Sequence, residues 1–147
     1  VNLVLLFFLR LVTPELFSMY PTFNVHPSLL PEYRGFHAVE RAHSDQVERF
    51  GATLHLVDEK ADHGPIVARV ATKLRSGESV EQMHRISFAQ KTYLALYLLD
   101  RFESEHDADW YTDLKSQEPP MNPTISGKPL CRYYDRFAVR EGLKGFV

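Results

Sequence analysis

The sequence has little of what would mark several common classes of protein. Its single cysteine, Cys131, excludes an internal disulfide and a paired-cysteine metal site. It contains no internal repeat and no run of five basic residues that would predict nucleic-acid binding or attachment to an anionic membrane. The formal net charge of −2 and the 44% hydrophobic content are ordinary for one globular domain. We therefore expect a cytoplasmic protein in a reducing setting, with neither nucleic acid nor membrane as a partner.

The longest apolar run, Val1–Leu9, is far shorter than the roughly 20 residues needed to cross a bilayer. It has no basic flank and no small-residue cleavage site, and Arg10 interrupts it, so a signal peptide is not indicated either. We interpret the run as a strand of a parallel sheet, buried on both faces. Because the chain opens on a strand that needs neighbours, we expect a homodimer or a second chain that completes the sheet.

Periodicity and turn residues predict the later elements. Two alternating, β-rich segments, Ala52–Val57 and Ile66–Lys73, predict a pair of neighbouring strands joined by a loop that contains glycine and proline. Apolar residues spaced by three or four predict a long helix over residues 79–102, with one face packed on a sheet. Beyond residue 102 this periodicity is lost.

A group of polar residues is predicted where a short extended segment ends. Because residues two apart in a strand point to the same side, Asn24 and His26 present an amide and an imidazole to one site, and Pro27 ends the segment. In open α/β sheets, ligands bind at the carboxyl ends of strands. Asp62 follows a later strand, and a carboxylate beside an imidazole raises its basicity. Each residue alone is more often a cap, a packed side chain or a turn residue, so the interpretation depends on their combination.

These residues belong to a longer pattern. Residues 24–35 read NVHPSLLPEYRG, and residues 51–67 read GATLHLVDEKADHGPIV. The pattern joins an HPSLLP loop, an alternating strand, an Asp-x-Gly-Pro turn and a second strand. It resembles the glycinamide ribonucleotide / 10-formyltetrahydrofolate formyltransferase family.

The resemblance implies a fold and an activity. The fold is α/β with a mostly parallel, Rossmann-like sheet, here expected to lack the N-terminal βαβ part. Residues 1–102 would form the catalytic domain and residues 103–147 a C-terminal extension. The activity is transfer of a formyl group from the co-substrate 10-formyltetrahydrofolate to a small-molecule amine, glycinamide ribonucleotide-like or another, as in one-carbon metabolism and purine biosynthesis. No metal is implied.

The resemblance also implies a set of site residues. Asn24, His26 and Asp62 match the catalytic residues of the family. Asn24 and protonated His26 would donate hydrogen bonds to the formyl oxygen, while Asp62 supports the imidazolium and the transfer of the amine's proton. Contacts to the folate are implied for Arg10, Leu11, Val12, Val57, Asp58, Glu59, Ala61, His63 and Gly64.

Four positions depart from the family's pattern. Phe7 stands where a small residue is usual. Phe88 and Lys91 stand on the long helix, where the ribonucleotide enzymes carry polar and acidic contacts to the acceptor, so Lys91 reverses a charge. His63 replaces a glycine in the turn, and a positive φ at His63 would cost about 1 kcal/mol.

Two other functions stay open, and both use the same motif. One is a catalytically weak folate-binding or interaction module, which the departures favour. The other is a formyltetrahydrofolate hydrolase, although such enzymes commonly carry a second histidine at the position of Pro27. Besides the three catalytic candidates, we interpret His55 as a residue that packs in the strand or supports the residues of the site. His37, His43 and His63 match no spacing of metal ligands.

Overall fold

The chain forms a four-stranded mixed sheet, in a computed structural model that describes residues 3–7, 12–104 and 109–125. The elements in chain order are β1 (Val4–Leu6), α1 (Pro14–Met19), β2 (Thr22–His26), α2 (Ala38–Ser44), β3 (Arg49–Leu56), β4 (Ile66–Lys73), α3 (Val80–Ser104) and a 3₁₀ helix (Trp110–Ser116). The strand order is β1-β2-β3-β4. β1 is parallel to β2, and the other two pairings are antiparallel. The predicted α/β class is confirmed, and the described part of the sheet is mixed.

The first strand is shorter and less buried than predicted. Of the apolar run, Val4–Leu6 forms a described strand, in which only Leu6 is fully buried. Within the described residues β1 has a single neighbour, β2, and therefore lies at an edge of the sheet. Val4 and Leu5 are only partly buried, so burial on both faces is wrong for this part of the chain.

The predicted strand pair forms an antiparallel hairpin. β4 has the predicted bounds, whereas β3 begins three residues before its predicted start at Ala52. The extra length follows from the register, because Arg49 pairs with Lys73 and extends the ladder to the end of β4. Residues 50–55 of β3 are all buried, so this strand lies at the centre of the core.

The long helix α3 packs on β3, β4 and β2. It starts with a capping box, in which the backbone N–H of Gln82 donates to Ser79 Oγ and that of Ser79 donates to Gln82 Oε1. The apolar face used to predict the helix is the packed face: Met83, Ile86, Ala89, Tyr93 and Tyr97 are buried, and Leu96 is partly buried. In the described ranges no helix is both long and apolar enough to span a membrane.

Part of the predicted C-terminal extension belongs to the core. Trp110 stacks on Phe23 of β2, with ring centroids 6.0 Å apart and planes inclined by 14°. Leu114 and Ile125 are buried in the same cluster. Cys131 lies outside the described residues. The domain boundary at residue 102 stays a prediction, and apolar packing continues beyond it.

Candidate active site

Asn24, His26 and Asp62 converge at one end of the sheet. Asn24 and His26 lie on β2, and Asp62 lies in the loop between β3 and β4. His26 Nδ1 is 3.4 Å from Asp62 Oδ2, and the two side chains are only 5% and 11% exposed. The amide of Asn24 lies beside the same group, since both His26 and Asn24 line the cavities described below. The polar group expected from the sequence therefore exists as one cluster.

Both ring nitrogens of His26 face oxygen atoms. Nε2 lies 2.9 Å from the carbonyl oxygen of Tyr33, and because a carbonyl only accepts, Nε2 carries a proton and donates it. Burial lowers the pKa of His26, against the Tyr33 carbonyl and the Asp62 charge, which act to raise it. The 3.4 Å between Nδ1 and Asp62 Oδ2 is longer than the roughly 2.7–2.9 Å of a charge-assisted hydrogen bond. Nδ1 is thus free to accept a proton beside a carboxylate.

Asp62 is held by a second loop. Its Oδ2 accepts a hydrogen bond from the backbone N–H of Gly35 at 2.9 Å, and its carbonyl accepts one from Nε of Arg34 at 3.0 Å. Burial acts to raise the pKa of Asp62, but a hydrogen bond from His55, the N–H of Gly35 and the charge of His26 outweigh it and lower the pKa to about 2. The carboxylate is therefore ionised at neutral pH.

The strained residue of this turn is Asp62 itself. Its φ is 58°, whereas His63 is not among the residues with positive φ. The cost considered for a positive φ at His63 therefore does not arise there, because the left-handed conformation falls one position earlier, at Asp62. Aspartate tolerates this region better than most residues, because its short polar side chain can bond locally.

His55 completes the cluster, where it lies beside Asn24 and Asp62; the sequence had indicated only a packing or supporting residue. It is the cross-strand partner of Asn24 in the β2–β3 ladder. Its Nδ1 donates to the carbonyl of Leu56 at 3.0 Å, and its Nε2 lies 3.2 Å from Asn24 Nδ2 and 3.6 Å from Asp62 Oδ1. The sequence signal that could have indicated this position is a histidine among the mostly apolar residues of a predicted strand.

A cavity of about 310 Å³ lies on one side of the cluster. It is bounded by the end of β2, by α1 and by the loop between β3 and β4. Val12, Val57, Asp58, Glu59 and Ala61, from the set of implied folate contacts, line it together with Asn24, His26, His55 and Asp62. We call it the first cavity.

The other implied folate contacts do not line the first cavity. His63 is exposed and its Nδ1 lies 2.7 Å from the carbonyl of Ala61. Gly64 is buried against the backbone of Leu56, where an added Cβ would come within 1.8 Å of the Leu56 carbonyl oxygen. Arg10 and Leu11 lie outside the described residues.

A second cavity, of about 370 Å³, lies on the other side of the same cluster. It runs between the end of β2 and the facing sides of α2 and α3. Phe7, Phe88 and Lys91, the residues that depart from the family's pattern, all line it. Asn24 and His26 are the two residues that border both cavities. Molecules held in the two cavities would therefore meet at these side chains.

A metal site was not expected from the sequence. Among the residues that the structure describes, no three histidine, cysteine, aspartate or glutamate side chains are grouped to hold a metal ion. The absence of a metal cofactor stays an expectation. The chemistry available from the described residues is hydrogen-bond donation and proton transfer.

Comparisons with known proteins agree with the geometry. The model of the formyl transferase family matches residues 2–97. A phosphoribosylglycinamide formyltransferase from Mycobacterium tuberculosis is 38% identical over 90 residues, which are 59% of this chain and 42% of that protein. The chain thus spans less than half of the curated relative it matches.

Solved structures give the same family. A phosphoribosylglycinamide formyltransferase from Bacillus halodurans superposes with a TM-score of 0.67 and 34% identity, over 76% of this chain and 58% of that one. A formyltetrahydrofolate deformylase from Pseudomonas syringae pv. tomato superposes with a TM-score of 0.61 and 29% identity, over 68% and 36% of the two chains. The fold implied by the sequence motif is confirmed.

Proposed function

The chain belongs to the formyl transferase family, and from that premise we propose that it transfers a formyl group from 10-formyltetrahydrofolate to a small-molecule amine. The observation that supports this most directly is the pair of cavities that share Asn24 and His26 as common walls. A transfer between two substrates needs the formyl donor and the amine acceptor to be held close together in the right orientation. This positioning can supply a large part of the rate enhancement.

The first cavity suits the folate. A pterin ring is flat, largely apolar on its faces, and carries N–H donors on its edge. The cavity offers apolar side chains, including Val12 and Phe17, and a loop with the acidic residues Asp58 and Glu59. In this assignment the acceptor enters from the second cavity, on the α3 side of the cluster.

Asn24 is the proposed donor to the formyl oxygen. As the amine nitrogen bonds to the formyl carbon, negative charge develops on that oxygen, and an aimed donor stabilises it. One N–H of Asn24 points to His55 Nε2 at 3.2 Å; in the described part of the chain the second N–H has no partner. His26 Nε2 already donates to the carbonyl of Tyr33. Of the two donors expected from the sequence, Asn24 is therefore the one that we assign to the formyl oxygen.

His26 and Asp62 are the proposed proton-transfer pair. The attacking amine must lose a proton, and the folate nitrogen must gain one when its bond to the formyl carbon breaks. His26 Nδ1 can accept the first proton, and the adjacent Asp62 carboxylate stabilises the resulting imidazolium. The same proton can then leave toward the folate nitrogen, directly or through a water. The overall reaction is balanced without a metal or a covalent enzyme intermediate.

Hydrolysis is the second candidate, because a deformylase is among the similar structures. The same cluster could activate water against the formyl carbon and release formate. The second cavity favours transfer over hydrolysis, since a water molecule does not need about 370 Å³ beside the reacting centre.

The test is to incubate the purified chain with 10-formyltetrahydrofolate, with and without a panel of primary amines. Tetrahydrofolate and formate are quantified, together with the N-formyl product. Product that depends on the amine supports transfer. Formate released at the same rate without amine supports hydrolysis. Folate binding without turnover would reject both and leave a binding module.

A further inference from the structure

A row of three side chains crosses the sheet at the candidate active site. In the strand register His26 of β2 pairs with Thr53 of β3, and Thr53 pairs with Arg69 of β4. Directly opposed residues of antiparallel strands point to the same face, so the three side chains are neighbours on one face. His26 belongs to the cluster, whereas Thr53 and Arg69 line neither of the two cavities that meet there. An effect of Thr53 or Arg69 on the reaction is therefore exerted through other groups.

Thr53 and Arg69 hold the loop that follows His26, and they hold it at Leu30. The backbone N–H of Leu30 donates to Thr53 Oγ1 at 3.0 Å, and the same hydroxyl donates to the carbonyl of Ser28 at 2.7 Å. Nη2 of Arg69 donates to the carbonyl of Leu30 at 3.0 Å. Leu30 is only 3% exposed, so side chains of the sheet satisfy both of its backbone polar groups in place of water.

The same loop supplies two backbone groups to the cluster. The carbonyl of Tyr33 accepts the hydrogen bond from His26 Nε2 at 2.9 Å, and the N–H of Gly35 donates to Asp62 Oδ2 at 2.9 Å. Both groups follow Leu30 closely in the sequence. A displacement of the loop at Leu30 would therefore alter the hydrogen bonds of both His26 and Asp62.

The carbonyl of Tyr33 competes with Asp62 for the proton of the neutral His26 ring. Asp62 Oδ2 lies 3.4 Å from Nδ1 and favours a proton on that nitrogen, whereas the carbonyl favours a proton on Nε2. In the proposed reaction Nδ1 accepts the proton of the amine, so Nδ1 must carry no proton beforehand. The position of the loop therefore selects the tautomer that the reaction needs.

The backbone of Arg69 is itself held on both sides. On one side it pairs with Thr53 in the β3–β4 ladder. On the other side its N–H donates to the carbonyl of Pro120 at 2.9 Å, and its carbonyl accepts from the N–H of Asn122 at 2.8 Å. The guanidinium therefore extends from a backbone that is fixed relative to the sheet, which is what a group that positions a loop requires.

We propose that Arg69 is a positioning residue of the site: its bond to Leu30 holds the loop so that the carbonyl of Tyr33 keeps the proton of His26 on Nε2 and Gly35 stays bonded to Asp62. The proposal rests on the proposed function for the statement that His26 accepts a proton at Nδ1. Arg69 is only partly buried, so its side chain can be changed with less disturbance of the core than a fully buried residue.

Two NMR measurements on the intact chain without substrates test the proposal. Nitrogen-15 shifts of the His26 ring report which nitrogen carries the proton, and we expect Nε2 in the unmodified chain. Arg69→Met keeps the apolar stem and removes the donors, and should populate the form with the proton on Nδ1. Burial acts to raise the pKa of Asp62, but bonds from His55 and Gly35 lower it to about 2. In a carbon-13 titration, Arg69→Met should move that pKa toward the ordinary value of 3.8.

Further variants assign the effect to the guanidinium. Arg69→Lys keeps a cationic donor one bond shorter and is expected to restore most of the Nε2 tautomer. Arg49→Met, at an exposed position of β3 that lines neither cavity, is the matched control and should behave as the unmodified chain does. Circular dichroism checks folding. If Arg69→Met does not fold, Arg69→Gln takes its place, because its amide ends two bonds short of the guanidinium nitrogens.

The rate of formyl transfer gives an independent readout. Arg69→Met should lower kcat by about tenfold to 10²-fold, as for a small misplacement of reacting groups. KM should change little, because Arg69 lines neither cavity. A His26 tautomer and an Asp62 titration that both match those of Arg49→Met would overturn the proposal, even if the rate fell.

The NMR measurements separate this proposal from the proposed function, because they need no turnover. If the chain forms no N-formyl product while Arg69→Met shifts the tautomer and the titration, formyl transfer is rejected and the positioning of His26 and Asp62 by Arg69 stands. If an amine-dependent product forms while both NMR readouts stay unchanged in Arg69→Met, formyl transfer stands and the role of Arg69 is rejected.

Discussion

Asn24 of β2 and His55 of β3 are direct cross-strand partners, and Asn24 Nδ2 lies 3.2 Å from His55 Nε2. The same ladder places His26 opposite Thr53. Because side chains alternate between the two faces of a strand, a shift of one residue would present Val25 in place of the amide and the imidazole. The register of this one strand pair therefore assembles the cluster, and Asp62 is added by the loop that follows β3.

His26→Ala should lower the rate of formyl transfer by about 10²–10⁴-fold, the usual range for loss of a general acid–base group. The rate is measured from tetrahydrofolate release at saturating substrates, and circular dichroism checks that the variant is folded. His43→Ala is the control, since His43 lines neither of the two cavities that meet at the cluster. A rate close to that of the control would remove His26 from the mechanism.

Asp62→Asn should flatten the acid side of the stability profile. The folded pKa of about 2 lies below the ordinary value of 3.8, so Asp62 contributes stability above pH 3.8 that is lost as the pH falls toward 2. The shift corresponds to about 2 kcal/mol at most. Urea unfolding between pH 2 and 6 measures it, with Asp58→Asn, an exposed carboxylate of the same loop, as control. Asparagine also tolerates the positive φ at this position. An unchanged pH dependence relative to the control would contradict the assigned ionisation.

His55→Leu should act through its two neighbours. Loss of its hydrogen bond is expected to raise the pKa of Asp62 above about 2, because that bond is the largest of the contributions that lower it. The freed Asn24 amide should also lower the rate of transfer, by about tenfold or more. Carbon-13 NMR titration of the Asp62 carboxyl provides a readout that a packing defect alone would not move. If the rate falls while that titration stays unchanged, His55 only supports the fold.

Gly64→Ala should disturb the loop that carries Asp62. The new Cβ would meet the Leu56 carbonyl oxygen at 1.8 Å, so the backbone must move, at a cost of about 1–3 kcal/mol. Because Asp62 is two residues away, we expect a loss of activity as well. Gly77→Ala is the contrast: its φ is 83° and no atom lies within 4 Å, so it should cost about 1 kcal/mol through conformation alone and leave activity intact.

Trp110→Ala should destabilise the chain by about 3–5 kcal/mol, the usual cost of removing a large buried aromatic side chain. Its ring stacks on Phe23 of the strand that carries Asn24 and His26. Leu99→Ala, at an exposed position of α3, should change the free energy of unfolding by less than about 0.5 kcal/mol. Equal midpoints in urea for the two variants would mean that the segment after α3 adds nothing to the core.

The local parts of the fold could be predicted from the sequence. β4 and most of α3 follow from the spacing of their apolar residues. Alternation places apolar side chains on one face of a strand, and spacing by three or four places them on one face of a helix. Asn24 and His26 could be placed on one side of β2 for the same reason. These inferences need only neighbours along the chain.

The remaining parts depend on contacts between distant residues. His55 lies 31 positions from Asn24, and only the antiparallel register brings them together. Asp62 combines a positive φ with hydrogen bonds from Arg34 and Gly35, which lie 28 and 27 positions away in the sequence. The residues around Trp110 show no regular apolar spacing, so its packing against Phe23 could not be predicted from its neighbours in sequence.

Apart from β2, the two cavities are lined by different structural elements. α3 supplies four residues to the wall of the second cavity, whereas none of the residues that line the first cavity comes from α3. With the cavities assigned as proposed above, changes on a single helix face can alter which amine is accepted while the folate surroundings stay constant. For protein engineering, the same separation makes α3 the element to redesign when a new acceptor is wanted.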